Sequence, residues 1–382
     1  MIIKHKAVAT LGVAALSLVL AACGSSSTTS SNSTSASAPA ASKPAATVAT
    51  TPSVPSGSGT ISGAGSTFAA PVYEEWGSQI SGLTVNYQPV GSGAGVTALE
   101  GKVVDFGASD PPLKEEEETA LGKVGKPVMI PMFLGAITVS YNLPGVKAGL
   151  KLDGKTIADI FLGKVKTWND PEIKALNPGV SLPSTAITVI HRSDSSGTTA
   201  GFTGFLGAVD PEWESKVGSG KDVPWPVGTG AKGNAGVAGA VQQTTGSIGY
   251  VEQAYALQHN FTYADVKNAA GNFEAPTLAS TSAAADGLKV PANLGFAIKN
   301  PSASGAYPIT SQTFIVVYKD MCKAGVPGGK GAAESVVKFL DYGLGQGQSI
   351  LSQADYAKLP AAILAKSKAA VAGLQCEGSP LS

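Results

Sequence analysis

The residues best suited to chemistry lie in the segment 190–200, which reads IHRSDSSGTTA. This segment continues an apolar, strand-like run. Arg192 and Asp194 come first, the small residues SSGT at 195–198 follow, and a helical pattern begins there. Helix N-termini expose unpaired N–H groups with partial positive charge, and the arginine fork can bind two oxygens of an oxyanion. The segment therefore indicates either a well-capped helix or an anion-binding site.

Two further segments share this design of a strand followed by glycine, hydroxyl residues and a helix. They are residues 63–68, GAGSTF, and residues 91–95, GSGAG. Glycine lets the backbone approach a ligand closely, and serine and threonine add hydroxyl donors. One such loop is more often a simple helix cap, but three of them together with Arg192 favour a common anion.

Two other glycine-rich segments match nucleotide-binding patterns without the required context. Residues 149–156, GLKLDGKT, fit the P-loop pattern, but no strand precedes them and their alternation predicts a strand and a turn. Residues 228–233, GTGAKG, fit the dinucleotide pattern, but the preceding PWP is a poor strand because proline removes ladder donors. We therefore predict no nucleotide site and no cofactor.

Catalytic and metal sites are not predicted either. The three histidines, His5, His191 and His259, lack the spacing of a metal-ligand cluster. No nucleophile elbow is present, and a triad depends on geometry rather than on closeness in sequence. A secreted phosphoesterase that uses Ser196 or Thr198 remains the alternative, and turnover of a chromogenic phosphate ester would reveal it.

Length and composition favour a two-lobed α/β protein. The 382 residues exceed what one core usually holds, and 43% of them are hydrophobic. Lysine plus arginine and aspartate plus glutamate each number 27, so the formal net charge is zero and no basic excess exists to hold nucleic acid. Short apolar strands alternate with helical patterns along the chain.

The N-terminal region predicts export and lipid anchoring. Residues 1–22 combine a basic start with a short apolar stretch, and LAAC at 20–23 is typical of a bacterial lipoprotein signal that leaves Cys23 first and lipidated. The apolar stretch is short for an uncleaved membrane helix, the alternative interpretation. Residues 23–58 are rich in serine, threonine, alanine and proline and predict a disordered tether. The protein is expected at the outer face of the cytoplasmic membrane or in the periplasm.

The remaining chain predicts specific elements. Residues 83–90, 103–109, 127–141 and 314–318 are expected to be strands, and a helix is expected to open at residues 66–67. Residues 127–141 are candidates for a crossing between lobes. The acidic residues 115–118 are interpreted as a solvated helix start.

Two further cysteines, Cys322 and Cys376, stand in the C-terminal part. An even pair in an exported protein favours a disulfide, which would stabilise the fold by ~4 kcal/mol on the chain-entropy model. Two buried thiols are the alternative.

Six motifs, in order along the chain, resemble the phosphate-binding proteins of bacterial ABC phosphate importers. They are SGAGSTF at 62–68 with PVY at 71–73, VDFGASD at 104–110, WND at 168–170, RSDSSGT at 192–198, GSIGYVE at 246–252 and YPITS at 307–311. One departure is the second loop, GSGAG, where relatives often have GSSGG.

This resemblance implies an α/β, two-lobed periplasmic-binding-protein fold of type II with the ligand in the inter-lobe cleft. It implies one lobe from residues 59–138 plus 304–382 and a second from residues 139–303. It further implies extracytoplasmic capture of inorganic phosphate and delivery to the membrane subunits of an ABC permease, without catalysis. A receptor or surface protein that binds phosphate without transport is the other alternative.

The resemblance also implies the ligand set. Asp194 matches the acid that pairs with the arginine. Asp110 matches a carboxylate that accepts the P–OH proton, and sulfate at neutral pH lacks such a proton. The residues implied to bind phosphate are Thr67, Phe68, Ser92, Asp110, Arg192, Ser196, Gly197 and Thr198.

Overall fold

The computed structural model of the chain describes residues 56–381. The predicted signal peptide, Cys23 and most of the tether lie outside the described residues. Residues 56–58, which the sequence analysis assigned to the disordered tether, instead form the start of the first strand, where Ser56 pairs with Ser81.

Strands in residues 56–381 form one large sheet and a small C-terminal hairpin. Their bounds are β1 Ser56–Gly65, β2 Ser81–Gln88, β3 Phe106–Ser109, β4 Pro127–Tyr141, β5 Leu150–Leu152, β6 Thr188–Arg192, β7 Thr229–Ala231, β8 Ser247–Glu252, β9 Thr262–Lys267, β10 Phe273–Glu274, β11 Thr310–Tyr318, β12 Gln375–Cys376 and β13 Ser379–Pro380.

Helices connect these strands in the same part of the chain. Their bounds are α1 Ala70–Gln79, α2 Ser92–Glu100, α3 Glu115–Gly122, α4 Gly154–Phe161, α5 Pro171–Leu176, α6 Gly197–Val209, α7 Pro211–Lys216, α8 Gly233–Gln243, α9 Gln253–Gln258, α10 Leu278–Ala283, α11 Met321–Ala324, α12 Gly329–Leu344, α13 Gly347–Ile350 and α14 Ala361–Ala372, with a 3₁₀ turn at Leu351–Ala354. None of the helices in residues 56–381 combines the length and the apolar character needed to cross a membrane.

The long strand β4 joins two halves of the sheet. Residues 127–136 pair antiparallel with β11, and residues 137–141 pair with β8. We call β1, β2, β3 and β11 with the first part of β4 the first half, and β5 to β10 with the last part of β4 the second half. The apolar run at 127–141 predicts this strand correctly, because a strand covered on both faces has no polar alternation.

Aromatic side chains fill the core behind each half. In the first half, Tyr73, Trp76 and Phe133 are fully buried and meet edge to face. In the second half, Phe202 stacks on Tyr250 with ring centroids 4.3 Å apart. Each half of the sheet therefore has its own aromatic cluster packed against its strands.

Several predicted boundaries shift by a few residues. The first helix begins at Ala70 rather than at residues 66–67, because residues 66–69 form the loop that leaves β1. The third strand is shorter than residues 103–109, since Val103 is 68% exposed in the preceding turn.

A disulfide closes the C-terminal part of the protein. Cys322 of α11 is bonded to Cys376 of β12, 54 residues later. The bond ties the end of the chain to the helix that follows β11, and the pairing favoured from the cysteine count is present.

Candidate anion-binding site

The candidate residues lie at the carboxyl ends of strands. Strands β1, β2 and β3 are parallel, and β6 is parallel to β7 and β8. Parallel strands end at the same edge of a sheet, and each of these ends is followed by a loop that opens a helix. This topology gathers the loops from both halves at one place.

Asp110 follows β3 and is held by hydroxyl groups. Its Oδ1 accepts from Ser66 Oγ at 2.5 Å and from Thr313 Oγ1 at 2.8 Å. Gln312 Nε2 donates to its backbone carbonyl at 2.7 Å. The carboxylate is 1% exposed, so its position is fixed by these contacts and its second oxygen, Oδ2, faces Gly197.

Burial dominates the protonation of Asp110. Desolvation of its carboxyl raises its pKa to about 6, although the hydroxyl donors and the charge of Arg192 act in the opposite direction. Asp110 is therefore mostly an acceptor at neutral pH and becomes a donor in mildly acidic solution.

Arg192 ends β6 and forms a forked pair with Asp194. Its Nε lies 2.7 Å from Asp194 Oδ1, and its Nη2 lies 2.5 Å from Oδ2. Burial pushes the pKa of Asp194 up, but the hydrogen bonds and charge of Arg192 outweigh that effect and leave the pKa below its usual value. Asp194 thus stays ionised and holds the guanidinium, as the matched motif implies.

Thr198 and Thr67 come from opposite halves and are joined by Asn234. Asn234 Nδ2 donates to Thr67 Oγ1 at 3.0 Å and to Thr198 Oγ1 at 3.1 Å. Arg192 Nη1 also donates to Thr198 Oγ1, at 3.3 Å. Because both threonine oxygens accept these bonds, each hydroxyl proton remains available for donation to a ligand.

The N-terminus of α6 lies against Asp110 and Ser92. A Cβ placed on Gly197 would come within 2.2 Å of Asp110 Oδ2 and 2.4 Å of Ser92 Oγ. Ser92 Oγ is itself 3.4 Å from Asp110 Oδ2. The absence of a side chain at position 197 is therefore what lets this helix end approach the carboxylate.

Two of the predicted ligands have their side chains engaged elsewhere. Ser196 caps α6, since its Oγ accepts from Thr199 N at 3.0 Å. Phe68 has its ring in the core, where it packs edge to face on Tyr356, and its carbonyl accepts from Tyr356 Oη at 2.6 Å. The resemblance assigns Phe68 a backbone N–H contact, which this position of the ring permits.

The structure brings most of the predicted set together and adds residues that the sequence analysis missed. The signal for Asn234 is present in GTGAKGN, because β7 occupies residues 229–231 and α8 begins at Gly233, as in the other three loops. Gly233 N also donates to Asp194 Oδ1 at 3.0 Å. The missed residues are Ser66, Asn234, Gln312 and Thr313.

The His191 side chain, close to Ser196 in the sequence, is engaged with other groups. The His191 ring stacks on Trp225 with centroids 4.8 Å apart, and its Nδ1 lies 3.0 Å from the Arg192 carbonyl. Within residues 56–381, no group of three or more histidine, cysteine, aspartate or glutamate side chains could hold a metal ion. The site places donors around the Asp110 carboxylate, whereas the second carboxylate, Asp194, is paired with Arg192.

Comparison with known proteins identifies relatives across almost the whole described chain. Residues 41–344 match the family model described as PBP superfamily domain. The phosphate-binding protein PstS of Haemophilus influenzae is 42% identical over 330 residues, covering 84% of this chain and 95% of that protein. The phosphate-binding protein PstS of Pasteurella multocida is 42% identical over 316 residues, covering 81% and 89% respectively.

Solved structures agree at the level of the fold. A high-affinity periplasmic phosphate-binding protein, PfluDING, bound with phosphate, superposes with a TM-score of 0.66 at 22% identity, covering 81% of this chain and 93% of that one. A phosphate-binding protein from Stenotrophomonas maltophilia gives a TM-score of 0.64 at 20% identity, covering 82% and 94%. The resemblance inferred from the six motifs and the two-lobed α/β fold are thus confirmed, and the chain belongs to the PBP superfamily and, within it, to the family of phosphate-binding proteins PstS.

Proposed function

We propose that this protein binds inorganic phosphate outside the cytoplasm and delivers it to an ABC-type phosphate permease. The observation that carries the proposal is a buried carboxylate, Asp110, among the donors Arg192, Thr198 and the N-terminus of α6. Donors suit any oxyanion, but a fixed acceptor suits one that carries a proton, as phosphate does near neutral pH. The names of the PstS relatives agree with this ligand.

The lobes of the proposed binding protein are residues 59–138 plus 304–382 and residues 139–303. The first lobe supplies the proposed ligands Thr67, Phe68, Ser92 and Asp110. The second lobe supplies Arg192 and the residues at the start of α6, Ser196, Gly197 and Thr198. Since both lobes supply ligands, a bound anion would favour the closed arrangement, and a permease could recognise that shape.

Lipid anchoring at Cys23 remains part of the proposal. The basic start and LAAC pattern support cleavage after residue 22, and the predicted tether, up to the start of β1 at Ser56, would link the protein to the membrane. Mass spectrometry of the mature N-terminus, with Cys23→Ser as the unlipidated control, would test this.

Catalysis is the alternative that the contacts favour less. Ser196 Oγ accepts from the backbone of its own helix, and the His191 ring stacks on Trp225, so these contacts do not support His191 as the base that activates Ser196. Turnover of a chromogenic phosphate ester by the purified protein would overturn a purely binding role.

The proposal is tested by calorimetric titration of the full chain with phosphate, after bound ligand has been stripped. We expect tight one-to-one binding and no comparable heat with sulfate. Absence of phosphate binding, or equal binding of sulfate, would mean that the site has another ligand.

Gly197→Ala is expected to weaken phosphate binding by roughly 10- to 100-fold, the usual cost of overpacking. The new methyl group would collide with Asp110 Oδ2 and Ser92 Oγ. The matched control is Gly239→Ala in α8, where a Cβ meets nothing within 4 Å. Isothermal titration should show weaker phosphate binding for Gly197→Ala and wild-type binding for Gly239→Ala. Equal affinities of the two variants would contradict the close approach of α6 to Asp110.

Asn234→Ala is expected to weaken phosphate binding by roughly 10- to 100-fold, because it removes the bonds that orient two buried hydroxyls. Gln243→Ala, at an exposed position of the same helix, is the control. A normal affinity in Asn234→Ala would show that the threonine hydroxyls need no such orientation.

A further inference from the structure

An ion pair between a buried lysine and a half-buried glutamate joins the two halves of the sheet beside the anion site. Lys221 is 4% exposed, and its Nζ contacts Glu117 Oε1. Lys221 lies in the loop after α7, which belongs to the second half, whereas Glu117 lies on α3, which follows β3 of the first half. The acidic residues 115–118 form the helix start that the sequence predicts, but Glu117, with 21% of its side chain exposed, is paired with Lys221 rather than fully solvated.

Each partner is attached to a segment that carries a proposed ligand. The Lys221 carbonyl accepts from Ser196 N at 3.0 Å, and Ser196 is the cap of α6. Glu117 stands seven residues after Asp110, and its Oε2 accepts from Lys114 N at 3.0 Å. The two ends of the pair are thus fixed to the two segments that meet at the site.

The energetic consequence depends on whether the halves are together. A buried ammonium group is costly unless it is paired, and removing one partner leaves the other as an uncompensated charge. When the halves separate, both groups can be hydrated and the pair is not needed. The ion pair therefore stabilises the closed arrangement more than the open one.

We propose that the Lys221–Glu117 pair controls how long the closed protein retains its anion, with both residues acting as positioning residues. This inference rests on the proposed function. Glu117→Gln would leave Lys221 buried without its counter-charge only in the closed arrangement, so the closed complex should open faster. The rate of association, which starts from the open arrangement, should change little.

The test compares Glu117→Gln with Glu116→Gln, which makes the same exchange at the exposed neighbour on α3. Phosphate association and dissociation rates are measured by stopped flow on the full chain, and thermal unfolding is measured without phosphate. We expect Glu117→Gln to speed dissociation on the order of 10²-fold, with an association rate and a phosphate-free melting temperature close to those of Glu116→Gln. The charge-swapped double variant, Glu117→Lys with Lys221→Glu, should restore slow dissociation in part.

The outcomes separate this proposal from the proposed function. Wild-type dissociation kinetics in Glu117→Gln, alone or with a lowered phosphate-free melting temperature, would reduce the pair to a structural contact and overturn the inference. A wild-type protein that binds no phosphate would overturn the proposed function and this inference together.

Discussion

Asp110→Asn should convert a phosphate-selective site into one that also binds sulfate. We expect the ratio of phosphate to sulfate affinity to fall by several orders of magnitude, since a site built around a ligand hydroxyl can reject the analogue that lacks it by roughly 10⁴–10⁵. The measurement is competitive calorimetric titration of both anions against the wild type and the variant.

The physical reason lies in the fixed position of the carboxylate. Ser66 and Thr313 hold Oδ1, so Oδ2 cannot turn away from an anion in the site. An ionised carboxylate repels sulfate, whereas it can accept a hydrogen bond from the P–OH group of phosphate. An amide at the same place removes the repulsion and can donate through its nitrogen.

The pKa of Asp110 adds a pH dependence with a definite sign. Its carboxyl, with a pKa raised to about 6 by burial, gains a proton as the pH falls through that value. The wild-type protein should then bind sulfate more tightly below about pH 6, whereas Asp110→Asn should show no such rise. Asp286→Asn, at an exposed position, is the control and should leave the affinities for phosphate and sulfate unchanged. Sulfate still rejected by Asp110→Asn at every pH would rule out this role.

Arg192→Lys should reduce phosphate affinity by about 10²–10³-fold although it keeps the positive charge. Arg192 is the one arginine of the chain, and the other 26 of its 27 basic residues are lysine. The guanidinium uses Nε and Nη2 for Asp194 and still presents Nη1 toward Thr198. An ammonium group is a point charge and cannot serve Asp194 and an oxyanion in this forked geometry.

The reverse exchange at a nearby exposed position, Lys232→Arg, is the matched control and should bind as the wild type does. Isothermal titration gives the affinities, and thermal unfolding shows whether Asp194, left with a poorer partner, destabilises the fold. Binding by Arg192→Lys within a few-fold of the wild type would show that charge alone suffices and that the fork is not used.

Local patterns in the sequence were enough for much of this protein. The largely apolar run at 127–141 predicts β4, because a strand buried on both faces needs no strict alternation of apolar and polar residues. The resemblance of the motif at 192–198 implied the pairing of Arg192 with Asp194, which is present although β6 ends at Arg192 and Asp194 lies in the loop that follows. Glycine and hydroxyl residues after strands marked the loops that open α1, α2 and α6.

The tertiary structure alone decided what surrounds these groups. Thr313, 203 residues away, reaches Asp110 because β11 pairs with β3, and Asn234 joins threonines from both halves because β7 ends beside β6. The pairing of Glu117 with Lys221 could not be predicted from the sequence either, since an acidic run at a helix start is usually solvated. Periodicity and turn chemistry act over a few residues, whereas sheet register sets the distance between loops that lie hundreds of residues apart. The sequence therefore determined which groups are suited to an oxyanion, and the fold decided which of them are brought together, held and oriented.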